Sequence, residues 1–200
     1  MKAINYLIRQ DDTLAKLINR VGPYLAQPAE FKNAFEALSR SITYQQLSGK
    51  AAGTIYQRLV DTFGDGERPD PSQILKADLE QLRSVGLSKP KSGYISDLAQ
   101  AQIDGQLPNY TQLQSYDDQT VIDCLTVHRG VGVWTVQMLL MSWLKREDVL
   151  PLADLGIQKG FQVAYKDDAL ATIDELVLCS EKWRPYRSVA CWYLWRANEL

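Results

Sequence analysis

The sequence predicts an all-α protein. Three observations carry this. Apolar residues recur at three- and four-residue steps through nearly the whole chain, no strictly alternating stretch is bounded by hairpin turns, and Ser, Asp, Pro and Gly stand where helices start and stop.

Taken in order, Phe31, Ala34, Phe35, Leu38, Ile42 and Leu47 mark one helix, and Ala51, Ile55, Leu59 and Val60 a second that opens at Ser48, a good N-cap. The two meet near Gln46. Gly64-Asp65-Gly66 with Pro69 and Pro71 is a loop, after which Pro71-Ser72 and Ala77-Asp78 open short helices that stop at Gly86. Ser88 caps the next helix, which carries Tyr94, Ile95, Leu98 and Ala99 on one face and ends at Gly105 before Pro108. A helix from Asp117 to about Val127 runs into Gly130-Val131-Gly132, and Val133 to Leu144 is helical again. Asp154 to about Tyr165, about Ala169 to Cys179 and Arg187 to Asn198 complete the set.

Composition narrows the function. At 200 residues the chain is one domain or two small lobes sharing a core, and 46% apolar with 23% charged residues excludes a disordered chain or a coiled coil. The longest apolar run, Met138 to Met141 with Trp143 and Leu144, is far below the roughly 20 residues of a membrane span. The opening MKAINYLIRQDD reaches acidic residues before a signal-peptide core could form, so a cytosolic protein without membrane partners is expected. A net charge of −2 excludes binding of nucleic acid through a broad basic surface. Three scattered cysteines, Cys124, Cys179 and Cys191, fit neither a disulfide framework nor an iron–sulfur cluster and read as reduced thiols. With His128 the sole histidine, His-rich metal sites are excluded and no metal ligands are expected.

The chemistry lies in two places. Gly130-Val131-Gly132 between two helices allows positive backbone dihedrals at both glycines, so the chain reverses tightly and the amides at the start of the Val133 helix can face a phosphate. Such an anion site needs no positive net charge. Read alone, the same glycines suit an ordinary helical hairpin. Asp154, after Pro151 and before a helical pattern, reads alone as an N-cap.

The context of these residues is distinctive. Leu125 to Met141 followed by Leu150-Pro-Leu-Ala-Asp154-Leu-Gly-Ile-Gln-Lys closely resembles the helix-hairpin-helix DNA glycosylases with their downstream catalytic aspartate, and within them the 3-methyladenine DNA glycosylase II branch. Ser41-Ile-Thr-Tyr-Gln-Gln-Leu-Ser, Gly86-Leu-Ser with Lys91-Ser-Gly-Tyr-Ile-Ser-Asp-Leu-Ala, and Trp183-Arg-Pro-Tyr-Arg-Ser with Trp195 extend the resemblance over residues 30 to 200 in the family's order. Two positions depart from it. Arg129 precedes the hairpin glycine where many relatives have proline, and Tyr44 stands where many have a small residue.

The resemblance implies removal of alkylated purines, 3-methyladenine and 7-methylguanine, from duplex DNA by base flipping, carried out by a monomer. Its expected location is cytoplasmic and nucleoid-associated in a bacterium or archaeon, nuclear in a eukaryote. Asp154 would be catalytic: an ionised carboxylate stabilises oxocarbenium-like charge on the deoxyribose and can orient the attacking water. One carboxylate suffices, because an alkylated purine already carries positive charge and leaves neutral. Trp134 takes the place where lyase members hold a Schiff-base lysine, so no lyase chemistry is expected. The base pocket is expected from Trp134, Trp195, Tyr44, Met138 and Gln45, with Trp192 and Trp143 assigned to core packing. Gln46 is the expected wedge filling the stack, its bland alternative being a solvated helix end. Arg129, Gly130, Val131, Gly132, Val133 and Thr135 are expected at the DNA backbone, with Lys182, Arg184 and Arg187 as further phosphate contacts or a solvated charged face. Hairpin carbonyls are expected to hold a monovalent cation, with no other cofactor. Many bacterial members carry an N-terminal β-domain, for which 200 residues leave no room. The lobes are expected at residues 36–146 and at 1–35 plus 147–200 of a single catalytic unit, with the hairpin beside the cleft and Asp154 on its floor. Two other classes stay open: a non-catalytic DNA-damage-binding protein, and a helical protein–protein module whose Gly-Val-Gly is only a turn.

Overall fold

The computed structural model describes residues 2–165 and 172–200. Among these it has thirteen α-helices, one 3-10 turn and no strand; a single bridge joins Gly64 and Pro69. The all-α class read from the periodicity is the one found.

The chain opens with α1 (Lys2–Gln10) and α2 (Asp12–Val21), a stretch whose helices the sequence reading does not segment. Asp11 separates them, its Oδ1 accepting from the amides of Thr13 and Leu14 as the N-cap of α2. Helix α3 (Ala34–Tyr44) starts behind Asn33, which accepts from the Glu36 amide, and ends before Leu47, leaving that residue exposed outside the helical pattern assigned to it. Ser48 caps α4 (Gly49–Thr62) as expected, and Asp70, Asp78 and Ser88 cap α5 (Pro71–Lys76), α6 (Leu79–Ser84) and α7 (Lys89–Ile103). A further short helix, α8 (Tyr110–Ser115), begins with a reciprocal capping box between Asn109 and Gln112. Helices α9 (Asp118–Thr126) and α10 (Val133–Ser142) flank the hairpin, followed by α11 (Leu155–Tyr165), α12 (Ile173–Ser180) and α13 (Arg187–Ala197). The expected start of α12 near Ala169 lies outside the described residues.

The chain forms two compact units, residues 30–136 and residues 1–29 with 137–200, dividing within α10. The sequence reading divides it instead at 36 and 146. The contiguous unit buries Phe35, Leu38, Ile42, Leu59, Leu82, Ile95 and Leu98. The discontinuous unit buries Leu7, Leu14, Ile157, Phe161, Trp183 and Tyr193. There α11 and α13 approach closely, because a Cβ on Gly160 would land on the Leu194 carbonyl.

Asp11 is a polar hub within that second core. It is 3% exposed, and its Oδ2 accepts from Tyr165 (2.7 Å) and Trp183 Nε1 (2.8 Å) and pairs with Lys182 Nζ at 3.0 Å. Burial pushes the carboxyl up, but these bonds and the Leu14 amide together outweigh it and hold Asp11 below its ordinary value.

Candidate active site

The discontinuous unit holds the carboxylate of interest. Asp154 closes a turn through its amide to the Pro151 carbonyl at 3.0 Å and then stands at the start of α11. Its Oδ1 accepts from the Ile157 amide at 2.9 Å, so the capping role read from sequence is real. The same oxygen accepts from Trp195 Nε1, also at 2.9 Å, and Asp154 is only 8% exposed. Gly156 makes the second bond possible: a Cβ there would lie 2.9 Å from Trp195 Cδ1 and 3.1 Å from Asp154 Oδ1. Asn198 Nδ2, just past α13, donates to the Gly156 carbonyl at 2.9 Å and ties the two helices together at this point.

The Trp195 indole also lines a cavity of about 450 Å³ with Met138, Met141, Trp192, Tyr24 and Pro28. Lys145 and Arg146 line it too. Trp143 is core as expected, at 3% exposure. Trp192 packs against the core of its unit and also forms cavity wall: it is half-buried, edge-on to Tyr24 and to Tyr193 with ring centroids 4.9 Å apart in each pair. Tyr24 and Met141 escape the sequence reading. The signal for Tyr24 is an aromatic in a proline-flanked segment without periodicity, Gly22 to Pro28, where ordered loop residues often carry function.

The contiguous unit holds the hairpin. The Val131 amide donates to the His128 carbonyl at 3.1 Å, closing the turn. Only Gly130 has a positive φ, +82°; Gly132 has ordinary backbone angles, which corrects the expectation for both glycines. A Cβ on Gly130 would collide with the Tyr94 ring, whereas one on Gly132 would meet nothing within 4 Å. Val131 is buried and anchors the turn, while Arg129, Gly132, Val133 and Trp134 are exposed. Arg129 lies over Tyr94, 5.5 Å from its centroid, and pairs with Asp97 at 3.1 Å. Thr135 departs from its expected place at the DNA backbone: it is 4% exposed, because it falls on the inward stripe of α10 with Val136, Leu139 and Leu140. Burial lowers the His128 imidazole from its ordinary value.

Gln45, expected in the base pocket, donates Nε2 to the Gly130 carbonyl at 2.9 Å and so braces the hairpin. Gln46 is exposed with φ +58°. Tyr44 is half-buried with the Arg40 guanidinium 4.2 Å above its ring centroid. Of the expected pocket residues, the discontinuous unit thus gathers Trp195 and Met138 on one cavity, with Trp195 bonded to Asp154, while Tyr44, Gln45 and Trp134 belong to the contiguous one.

The three C-terminal cations are held by carboxylates of the chain. Lys182 pairs with Asp11, Arg184 with Glu181 and Asp148, and Arg187 with Asp148 at 2.7 Å. Neutralising carboxylates this close weaken each as a phosphate contact. Among the described residues no group of His, Cys, Asp and Glu could hold a metal ion, and no helix is long and apolar enough to cross a membrane.

Comparison with known proteins places these features. The family described as HhH-GPD superfamily base excision DNA repair protein matches residues 39–185. DNA-3-methyladenine glycosylase 1 of Schizosaccharomyces pombe is 34% identical over 200 residues, which cover all of this chain and 88% of that protein. The solved structure of the 3-methyladenine DNA glycosylase of that yeast with abasic DNA superposes with a TM-score of 0.90 at 33% identity, covering 100% of this chain and 98% of that one. A DNA-3-methyladenine glycosidase from Bacillus halodurans gives a TM-score of 0.87 at 34% identity, over 98% and 89% of the two chains. The agreement in sequence and in helical architecture runs through both the hairpin and the aspartate, and the chain belongs to the HhH-GPD superfamily of base excision DNA repair proteins.

Proposed function

We propose that the protein is a monofunctional DNA glycosylase that hydrolyses the N-glycosidic bond of 3-methyladenine and 7-methylguanine in duplex DNA after extruding the base. The observation that carries this reading is the Asp154 carboxylate, clamped through Oδ1 by a backbone amide and by an indole whose body lines a purine-sized cavity. At about 450 Å³ the cavity falls within the range of small-molecule sites, roughly 300–1,000 Å³.

In this reading the extruded base lies against Trp195 and Met138, and a cationic purine gains from the electron-rich indole face. As the glycosidic bond stretches, positive charge develops on the deoxyribose. A carboxylate already oriented by two donors stabilises that charge without reorganising, and it directs water to the sugar. The neutral purine leaves without a general acid. Trp134, at the lysine position of the lyase members, offers no amine for a covalent sugar adduct. Duplex DNA is held at the hairpin, where exposed Gly132 and Val133 begin α10 and the helix dipole favours phosphate. Backbone carbonyls of the turn, among them that of His128, which also accepts from the Val131 amide, are neutral oxygens of the kind that could hold a monovalent cation. Such an ion would add positive charge beside the phosphate-facing amides.

The test is excision of 7-methylguanine from a duplex by wild type and Asp154→Asn. The variant is expected to lose excision and to keep equal or higher DNA affinity, since the carboxylate acts in the transition state and repels phosphate in the ground state. Near-normal rates would overturn the assignment. Wild type is expected to leave an intact abasic site, and a borohydride-trapped protein–DNA adduct would contradict the monofunctional reading. A DNA-damage binder without turnover would show affinity for the lesion and no product from either protein.

A further inference from the structure

Helix α3 ends without the glycine that commonly closes a helix. Gln45 is extended, with φ −56° and ψ 131°, and Gln46 takes φ +58°, a left-handed conformation unfavourable to a side chain. Two side-chain contacts bracket this turn. Lys91, from the first turn of α7, places Nζ 2.9 Å from the Thr43 carbonyl and 2.6 Å from the Gln45 carbonyl, on either side of Tyr44. Gln45 Nε2 reaches the Gly130 carbonyl at 2.9 Å. Tyr94, one turn beyond Lys91 on α7, fills the space under Gly130.

A lysine is poorly placed in the first turn of its own helix, where the dipole disfavours a cation, and half-burial lowers its pKa. What compensates is the C-terminal end of another helix, whose orphan carbonyls attract a cation. The contact therefore serves α3 and the turn after it. We propose that Lys91 is a positioning residue for base extrusion, fixing through the Thr43 and Gln45 carbonyls the exposed left-handed presentation of Gln46. This rests on the reading of Gln46 as the wedge. Lys91 touches neither base nor sugar; it sets the shape of the element that enters the stack, and the Gln45 bond keeps that element in register with the hairpin.

The consequence is a dependence on base pairing that a general loss of structure does not produce. A wedge matters where a paired base must be driven out and matters little where the lesion is already unpaired. The experiment compares single-turnover excision of 7-methylguanine placed opposite cytosine and opposite an abasic-site analogue, for wild type, Lys91→Met, Lys91→Gln and Lys91→Arg. Lys91→Met is expected to lose about 10-fold on the paired lesion and under about 3-fold on the unpaired one, the size expected when a charged hydrogen-bond pair is removed. Lys91→Arg is expected to recover most of the paired-lesion rate. Equal loss on both substrates, or no loss on either, overturns the proposal. If Lys91→Met does not fold, Lys91→Gln must show the same difference between substrates, and its absence overturns the proposal equally. Failure of wild type on both substrates would instead remove the glycosylase reading itself.

Discussion

Trp195→Phe separates the two duties of one side chain. Phenylalanine keeps an aromatic wall for the cavity but removes Nε1, and with it the 2.9 Å bond to Asp154 Oδ1. Asp154 is 8% exposed, so little solvent is at hand to replace the lost donor, while the Ile157 amide bond to Oδ1 stays in place. A hydrogen bond to a charged group contributes about 1.5–3 kcal/mol, and each 1.4 kcal/mol is about tenfold in rate. The single-turnover excision rate should therefore fall about 10- to 100-fold at saturating enzyme. Because the bond acts on a group that works in the transition state, the loss should appear in kcat, with KM changed little. In an Asp154→Asn background the same substitution should have almost no further effect, since coupled residues are not additive. Two results would refute this reasoning: a rate within about twofold of wild type, or a loss carried wholly by KM, which would leave Trp195 only as a wall for the base.

The hairpin glycines should behave unequally. Gly130→Ala combines a forced positive φ with a collision against Tyr94 and should destabilise by at least about 1–2 kcal/mol and weaken binding to damaged and undamaged duplexes alike, whereas Gly132→Ala should melt with wild type in a thermal scan. Asp11 predicts an acid limb: its folded pKa lies below the ordinary 3.8, so its stabilisation is fully present above that value and is lost as pH falls through the folded pKa. Urea titrations from pH 6 downward should show this limb flattened in Asp11→Ala, together with a loss of about 2–4 kcal/mol at neutral pH; an unchanged limb would remove Asp11 as its source. Cationic lesions should be excised far faster than a neutral purine such as hypoxanthine, because leaving-group activation acts directly on the barrier while stacking acts partly on the ground state. Equal single-turnover rates on the two lesions would mean that a general acid is at work.

What could be read from the chain was what is local. Asp154 as a cap, Ser48 and Ser88 at helix starts, and the tight turn at Gly130 each depend on a few neighbouring residues, and each is found. The sequence reading puts Thr135 at the DNA backbone instead, although its position four residues before Leu139 on the apolar stripe of α10 is a local signal of the burial found. What escaped depends on partners distant in sequence: Trp195 lies 41 residues from Asp154, Lys91 lies 46 from Gln45, and Gly130 lies 85 from Gln45. No periodicity reports such bonds, because polar side chains of this kind look the same whether they face solvent or a remote carbonyl. The cations Lys182, Arg184 and Arg187 show the converse. Their charge invites a phosphate reading, and only the fold reveals the carboxylates that neutralise them.

Translation runs from the amino end, and the discontinuous unit is assembled from two stretches, residues 1–29 and 137–200, on either side of the contiguous one in sequence. Leu7, Leu14 and Ile18 emerge long before Trp183 and Leu194, with which they share a core. Asp11 waits for Tyr165 and Trp183, 154 and 172 residues downstream. Residues 30–136 are contiguous and can fold while the ribosome is still at work, whereas the opening helices stay apolar-faced and unclaimed until α13 appears. Trp195 is made after the whole of the hairpin. A nascent chain therefore possesses its hairpin well before its carboxylate clamp is complete, and an interrupted one would retain the hairpin while leaving that clamp unbuilt.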